Sequence, residues 1–193
     1  VMLDKKLKQL DKKRLRGYLE DVNHLQSLIE NLWRLSKSGI RKKKVDKVKI
    51  KQILTRAERN VTGVANKKKI KIISKIKGKN EKLRIDSQVA TEILTIFLDN
   101  AVKYSQKSAK VWMLAKKTKG RWLVEVKDRG SGISQKDLLY IFDRFYRADR
   151  SRSQREGFGL GLAVAKKLSQ EVGWKIGVKS KLGQGSIFQL FFS

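Results

Sequence analysis

From Val45 onward the apolar residues change their period several times, and the order of those changes limits the fold more than any other feature of the chain. Val48 to Ala65 carries them at the three-and-four spacing of a helix, whereas Ile70 to Ile76 and Lys82 to Ile85 are short runs of strand character. Ser87 to Tyr104 returns to the helical period, and Ala109 to Lys116 and Trp122 to Lys127 alternate as strands around a turn at Lys119-Gly120. A loop at Asp128 to Ser134, a short helix at Gln135 to Ile141 and a basic loop at Ala148 to Phe158 follow. Gly159 to Val172 is again helical, and Trp174 to Lys179 pairs with Gly185 to Phe192 as a hairpin. Strands that arrive in pairs between helices do not fit the strict alternation of a TIM barrel or a doubly wound sheet. They fit an α/β domain with helices on one face of a mixed sheet.

Upstream, residues 1–38 read as a helical arm. Leu3, Leu7 and Leu10, then Tyr18, Val22, Leu25, Ile29 and Leu32, form a seam at coiled-coil spacing for a partner helix. Ser38-Gly39 ends the arm, residues 39–44 are a polar linker, and residues 45–193 form the second unit. A chain of 193 residues holds one such domain and an arm, but not two full domains.

No apolar run reaches the roughly 20 residues needed to cross a bilayer, so the chain is expected to be soluble. It begins at Val1 without a signal-peptide pattern and reads as a piece of a longer chain. With no cysteine it has neither a disulfide nor a thiolate nucleophile. Its 47 lysines and arginines against 18 acids give a net charge of +29, a field that attracts polyanions. Basic residues are dispersed, no aromatic stacking pattern interleaves with them, and no helix-turn-helix or zinc spacing occurs, so nucleic acid is not an expected partner. An anionic membrane surface stays open as one.

Three segments carry chemistry. In Leu98 to Ser105, Asn100, Lys103 and Tyr104 lie within about one helical turn, and an amide oxygen beside an ammonium suits a metal and a phosphate. Asp128-Arg129-Gly130-Ser131-Gly132-Ile133 follows a strand: its glycines let backbone approach a flat ligand, and its carboxylate can accept a hydrogen bond from an amino group such as that of adenine. Gly157-Phe158-Gly159-Leu160-Gly161-Leu162 opens a helix whose free amides favour an anion. It follows a basic loop and lacks GK[ST], so it is neither a dinucleotide fingerprint nor a P-loop.

In order and spacing these segments resemble the sequence boxes of sensor histidine kinases. Glu92 to Ser105 resembles the N box, Val126 to Ser134 the G1 box, Ile141 to Asp149 the F box and Gly157 to Leu168 the G2 box, and Leu182 to Phe192 is similar to the closing hairpin. The resemblance implies a two-layer α/β sandwich of the Bergerat ATPase type, binding ATP and Mg2+. It implies that Asn100 ligates Mg2+, that Lys103 and Tyr104 meet the phosphate and sugar, and that Asp128 accepts the adenine amino hydrogen. Gly130, Gly132 and Ile133 would shape the pocket, and Ser186 would add a water-bridged contact to the base. Phe142 and Phe145 would anchor a lid at Ala148 to Glu156, Arg147 would reach the terminal phosphate, and Gly157, Gly159, Leu160 and Gly161 would wrap the phosphates.

Tyr18 to Ser38 resembles the second helix of the dimerisation and phosphotransfer hairpin, which implies a homodimer through the arm. The other partners implied are the phosphoacceptor helix of the parent protein and the receiver domain of a response regulator. His24, the only histidine, is followed by Leu25 and does not match the phosphoacceptor pattern, so the acceptor is expected outside these residues. One position departs from the family. Ile96 stands where histidine kinases usually place a second polar residue and gyrase-like relatives a catalytic glutamate. Isoleucine neither ligates metal nor moves a proton, which with the missing acceptor histidine keeps open a kinase-dead nucleotide-binding or docking module, while the net charge of +29 alone keeps open a basic scaffold for nucleic acid or an anionic membrane.

Overall fold

The computed structural model describes residues 44–78, 82–118, 120–148 and 158–192, with part of 14–36. In chain order its elements are β1 (Asp46–Lys49), α1 (Ile50–Lys67), β2 (Lys71–Lys77), β3 (Lys82–Ile85), α2 (Ser87–Tyr104), β4 (Lys110–Thr118), β5 (Arg121–Lys127), α3 (Gln135–Leu138), α4 (Gly161–Val172), β6 (Lys175–Lys181) and β7 (Gly185–Phe192).

Each long helix has a local cause. The Asp86 carboxylate accepts from the Val89 amide at 3.0 Å and starts α2. Val89, Ile93, Phe97 and Ala101, with Ala90, Leu94, Leu98 and Val102 beside them, then give one buried stripe. In α1 the stripe is Ile50, Ile53, Leu54, Ala57, Val61 and Ala65. Gly173, at φ 76°, ends α4 in the left-handed conformation that glycine adopts without strain.

Five strands form a sheet in the order β2-β4-β5-β7-β6, with β2 parallel to β4 and the other pairs antiparallel. The sheet is mixed, as expected. Val111, Met113 and Ala115 of β4, Val124 and Val126 of β5, and Phe188 and Leu190 of β7 are buried beneath the helices. Phe97 of α2 stacks on Phe188 with ring centroids 5.3 Å apart. Each such large apolar side chain contributes about 1.5–3 kcal/mol by leaving water.

Several boundaries differ from the sequence reading, three of them with a clear local cause. Val48 lies in a strand, because β1 pairs with β3 in a separate two-stranded ribbon and helix α1 starts at Ile50. Helix α3 stops at Leu138 instead of reaching Ile141. Helix α4 starts at Gly161, since Gly159 has φ 70° and cannot belong to a right-handed helix.

The described residues of the arm are helical. Leu35 is buried against the domain core and Leu28 packs beside it. The Lys167 ammonium of α4 donates to the Leu35 carbonyl at 3.0 Å, which ties the end of the arm to the helical layer. Leu15, Leu19, Val22, Leu25, Ile29 and Leu32 are exposed. Residues 1–13, the linker residues 39–43, the turn residue Lys119 and His24 lie outside the described residues. Among the described residues no helix is long and apolar enough to cross a membrane.

Candidate functional site

Asp128 directly follows β5, whose buried strand carries it under the helical layer, and it is only 3% exposed. Its Oδ1 accepts from the Gly130 amide at 2.7 Å and the Ser186 amide at 3.2 Å. The backbone amide of Asp128 in turn donates to the Ser186 carbonyl at 3.0 Å. Both side-chain bonds fall on Oδ1, which fixes the carboxylate plane and leaves Oδ2 to accept from a ligand. Burial pushes the Asp128 carboxyl above the usual carboxylate value of 3.8, while the amides of Gly130 and Ser186 work against that rise.

The glycines of the Asp128 loop are required sterically. A Cβ on Gly130 would run into the carbonyl carbon of Tyr104 at 2.8 Å, and one on Gly132, at φ 66°, would meet the Lys181 carbonyl carbon at 2.8 Å. The loop is thereby pressed between the end of α2 and the β6–β7 turn. Ser131 donates its amide to the Tyr104 carbonyl at 3.3 Å, and Gly183 donates to the Ser131 carbonyl at 2.7 Å. Ile133 is half-buried, and its amide donates to the Ser180 hydroxyl at 2.9 Å.

Helix α2 supplies Asn100, Lys103 and Tyr104 from its last turn and a half, Asn100 half-buried and Tyr104 exposed. Lys103, Tyr104, Arg129, Gly130, Ser131 and Gly183 are among the residues lining a cavity of about 440 Å³. That volume lies within the range of small-molecule pockets. Asp128 and Asn100 are not on its wall, so the cavity joins only part of the expected set.

The start of α4 carries no side-chain cap, with Leu160 buried at the cap position, so its first amides remain open to an anion. Gly161 lies against α2, where a Cβ would come 3.5 Å from Ile96 Cγ2. Ile96 is half-buried and packs on the core, which places the apolar substitute of the family's polar residue directly beside the helix start. Gly159 accepts the Phe145 amide at 3.0 Å, and a Cβ there would clash with the Tyr146 carbonyl oxygen at 2.6 Å.

Of the two lid anchors, Phe142 packs against the core, but Phe145 is 59% exposed with φ 63°. Tyr146 adds a second tie: its hydroxyl donates to Asp137 Oδ1 at 2.7 Å, and the Ser134 hydroxyl donates to Oδ2 at 2.6 Å. Both bonds hold the Asp137 carboxyl below its usual range. Arg147 is half-buried. Gly157 and residues 149–156 of the expected lid lie outside the described residues.

Sequence reasoning missed three contributors. Ser180 bonds the Gly185 carbonyl at 2.8 Å and the Ser186 hydroxyl at 2.9 Å, so the Ser186 hydroxyl is already engaged within the protein. Gly185, at φ 89°, leaves room for Arg129, whose Cα would lie 2.8 Å from a Cβ. The Gly-Gln-Gly spacing of the turn could have flagged it. The Lys68 ammonium donates to the carbonyls of Val102 at 3.2 Å, Lys103 and Ser105, and so caps the end of the helix that bears Lys103 and Tyr104. A lysine in a basic run gives no such signal in sequence.

The residues present suit a nucleotide: an aimed carboxylate oxygen, glycines that admit backbone approach, and an uncapped helix start in one layer. For a magnesium ion, among the described residues no cluster of three or more His, Cys, Asp or Glu exists. An amide ligand such as Asn100, with the remaining positions taken by phosphate oxygens and water, is the arrangement that suits Mg2+.

Residues 85–193 match the model of the family described as histidine kinase-, DNA gyrase B- and HSP90-like ATPase. The chain is similar to the sensor histidine kinase YkoH of Bacillus subtilis, at 42% identity over 112 residues, 58% of this chain and 24% of the relative. It is 37% identical over 115 residues to the signal transduction histidine-protein kinase ArlS of Staphylococcus aureus, covering 59% of this chain and 26% of that protein. The chain thus spans about a quarter of the length of these relatives. Among solved structures it resembles full-length ShkA in complex with AMPPNP, with a TM-score of 0.81, 27% identity, and coverage of 92% of this chain and 38% of that one. With more than half of its length matched, the chain belongs to the histidine kinase-, DNA gyrase B- and HSP90-like ATPase family.

Proposed function

We propose that this chain is the ATP-binding catalytic part of a sensor histidine kinase, handing the terminal phosphate of ATP to a histidine outside these 193 residues for relay to a response regulator. The observation that carries the reading is the buried Asp128 carboxylate, held at Oδ1 by two backbone amides with Oδ2 free to accept from the adenine amino group. Tyr104 and Lys103 would meet sugar and phosphate, and the open amides at Gly161, with Arg147 from the F box, would take the phosphates. Bound Mg2+, held by Asn100, would offset charge on those phosphates. Ile96 cannot activate a water molecule, which favours transfer to a histidine over hydrolysis. The exposed seam of the arm, Leu15, Leu19, Val22, Leu25, Ile29 and Leu32, supports pairing with the arm of a second copy.

The test is phosphorylation by labelled ATP of a protein extended upstream to include the acceptor histidine. Acid-labile label that disappears with Asn100→Ala is expected. ATP binding without any label would make the chain a nucleotide-binding module that has lost transfer.

Acidity offers a second check. An ionised Asp128 accepts the hydrogen bond from the amino group better than the neutral acid, so the affinity due to this contact is present above its folded pKa and lost as pH falls through it. Burial raises that pKa, so the loss should begin above the ordinary value of 3.8. Titrating ATP into the chain and into Asp128→Asn across a pH series isolates the contact, since phosphate ionisation is common to both. The ratio of their affinities should shrink on acidification, and a ratio independent of pH would remove Asp128 from base recognition.

A further inference from the structure

The helices take one face of the five-stranded sheet, and the strand registers fix which side chains occupy the other. On β2 these are Lys71, Lys75 and Lys77, opposite Lys110 and Lys116 of β4. Arg121 and Lys127 come from β5, and Lys175, Lys179 and Lys181 from β6. The face therefore gathers ten basic residues, while its one acid, Glu125, is bonded to Lys116 and to Gln189, each at 2.8 Å. Basic residues of these five strands are thus sorted by the period-two alternation onto one surface. Between them lie the half-buried Ile73, Leu114, Ile187 and Phe191.

We propose that this open sheet face docks on an anionic lipid surface. Five strands about 4.8 Å apart make a surface roughly 20 Å across, and at physiological salt charges act together only within about 8 Å, so neighbouring lysines of adjacent strands act as one field. Nearly all the cations are lysines, which attract a diffuse layer of headgroups as point charges and do not read phosphates through the planar fork of arginine. The indole on the face, Trp112, carries the Arg129 guanidinium 5.2 Å from its ring centroid, so that ring is covered and not offered to a stacked base. Half-buried apolar groups flanked by lysines suit the boundary between headgroups and acyl chains. Docking on this face leaves the helical layer, with Asn100, Asp128 and Gly161, turned away from the lipid.

The experiment is co-sedimentation of the chain with vesicles of phosphatidylcholine alone and of phosphatidylcholine mixed with phosphatidylglycerol, at physiological salt. Binding to the mixed vesicles only is expected. It should fall by about tenfold or more in the triple variant Lys75→Glu, Lys110→Glu, Lys179→Glu, because each basic residue near an anionic surface adds to the attraction. A variant of equal charge change on the helices, Arg56→Glu, Arg59→Glu, Lys166→Glu, should lose far less. Glutamine at positions 75, 110 and 179, with the melting curve recorded for each variant, keeps the test valid if the glutamates unfold the sheet. Equal losses in the two triple variants would mean that net charge alone binds lipid and would overturn the proposal. So would absence of vesicle binding, or a face that retains an RNA oligonucleotide but no vesicles.

Discussion

Replacing Asp128 by asparagine should weaken ATP binding by roughly 10- to 150-fold, the loss of about 1.5–3 kcal/mol that attends a charged hydrogen bond in a buried site. The direction follows from the geometry of the carboxylate. Asparagine can keep an oxygen where Oδ1 accepts from Gly130 and Ser186, so the loop should hold its shape. Its amide nitrogen would then stand at the position of Oδ2 and confront the adenine amino group with a donor in place of an acceptor. Calorimetric titration of ATP, with the melting temperature measured in parallel, separates recognition from folding. Unchanged affinity in a folded variant would show that adenine is recognised elsewhere.

The second large effect is on stability. Gly132→Ala should cost roughly 2–5 kcal/mol, combining about 1–2 for a left-handed backbone with a Cβ and about 1–3 for overpacking. Both conditions hold there, since φ is 66° and the new carbon would press on the Lys181 backbone with no flexible side chain to give way. Gly120→Ala is the internal control: its φ of 77° is equally left-handed, but a Cβ there meets nothing within 4 Å. Urea unfolding of both variants should give a midpoint markedly lower for position 132. Equal shifts would mean that the β6–β7 turn yields and that the close approach around the Asp128 loop is not rigid.

The helical layer was legible in sequence because α2 combines an aspartate cap with two buried ridges over five turns, so its ends, Ser87 and Tyr104, could be read directly. The start of α1 was not. Val48 fits the helical period of the residues after it, but it is held in a strand by pairing with Leu83, thirty-five residues downstream, and periodicity carries no information on a distant partner. The four boxes identified the loops of the site but not what supports them. Ser180 and Lys68 act through hydrogen bonds formed only when β6 and the α1–β2 turn come into place.

Strand β7 lies between β5 and β6, not at an edge, and it brings the Ser186 amide to Asp128 across 58 residues of chain. During synthesis Asp128 therefore leaves the ribosome well before the group that orients it. A nascent domain that has finished all its helices has that carboxylate held by the Gly130 amide alone, with β5 exposing one hydrogen-bonding edge. Nucleotide is a poor early folding template for such a chain, because the base-recognition end of the site is completed only when β7 brings in the Ser186 amide. Binding of ATP would instead mark completion: a chain cut short before Gly185 should have nothing to gain from the nucleotide pool, whereas the closed sheet can be held shut by it.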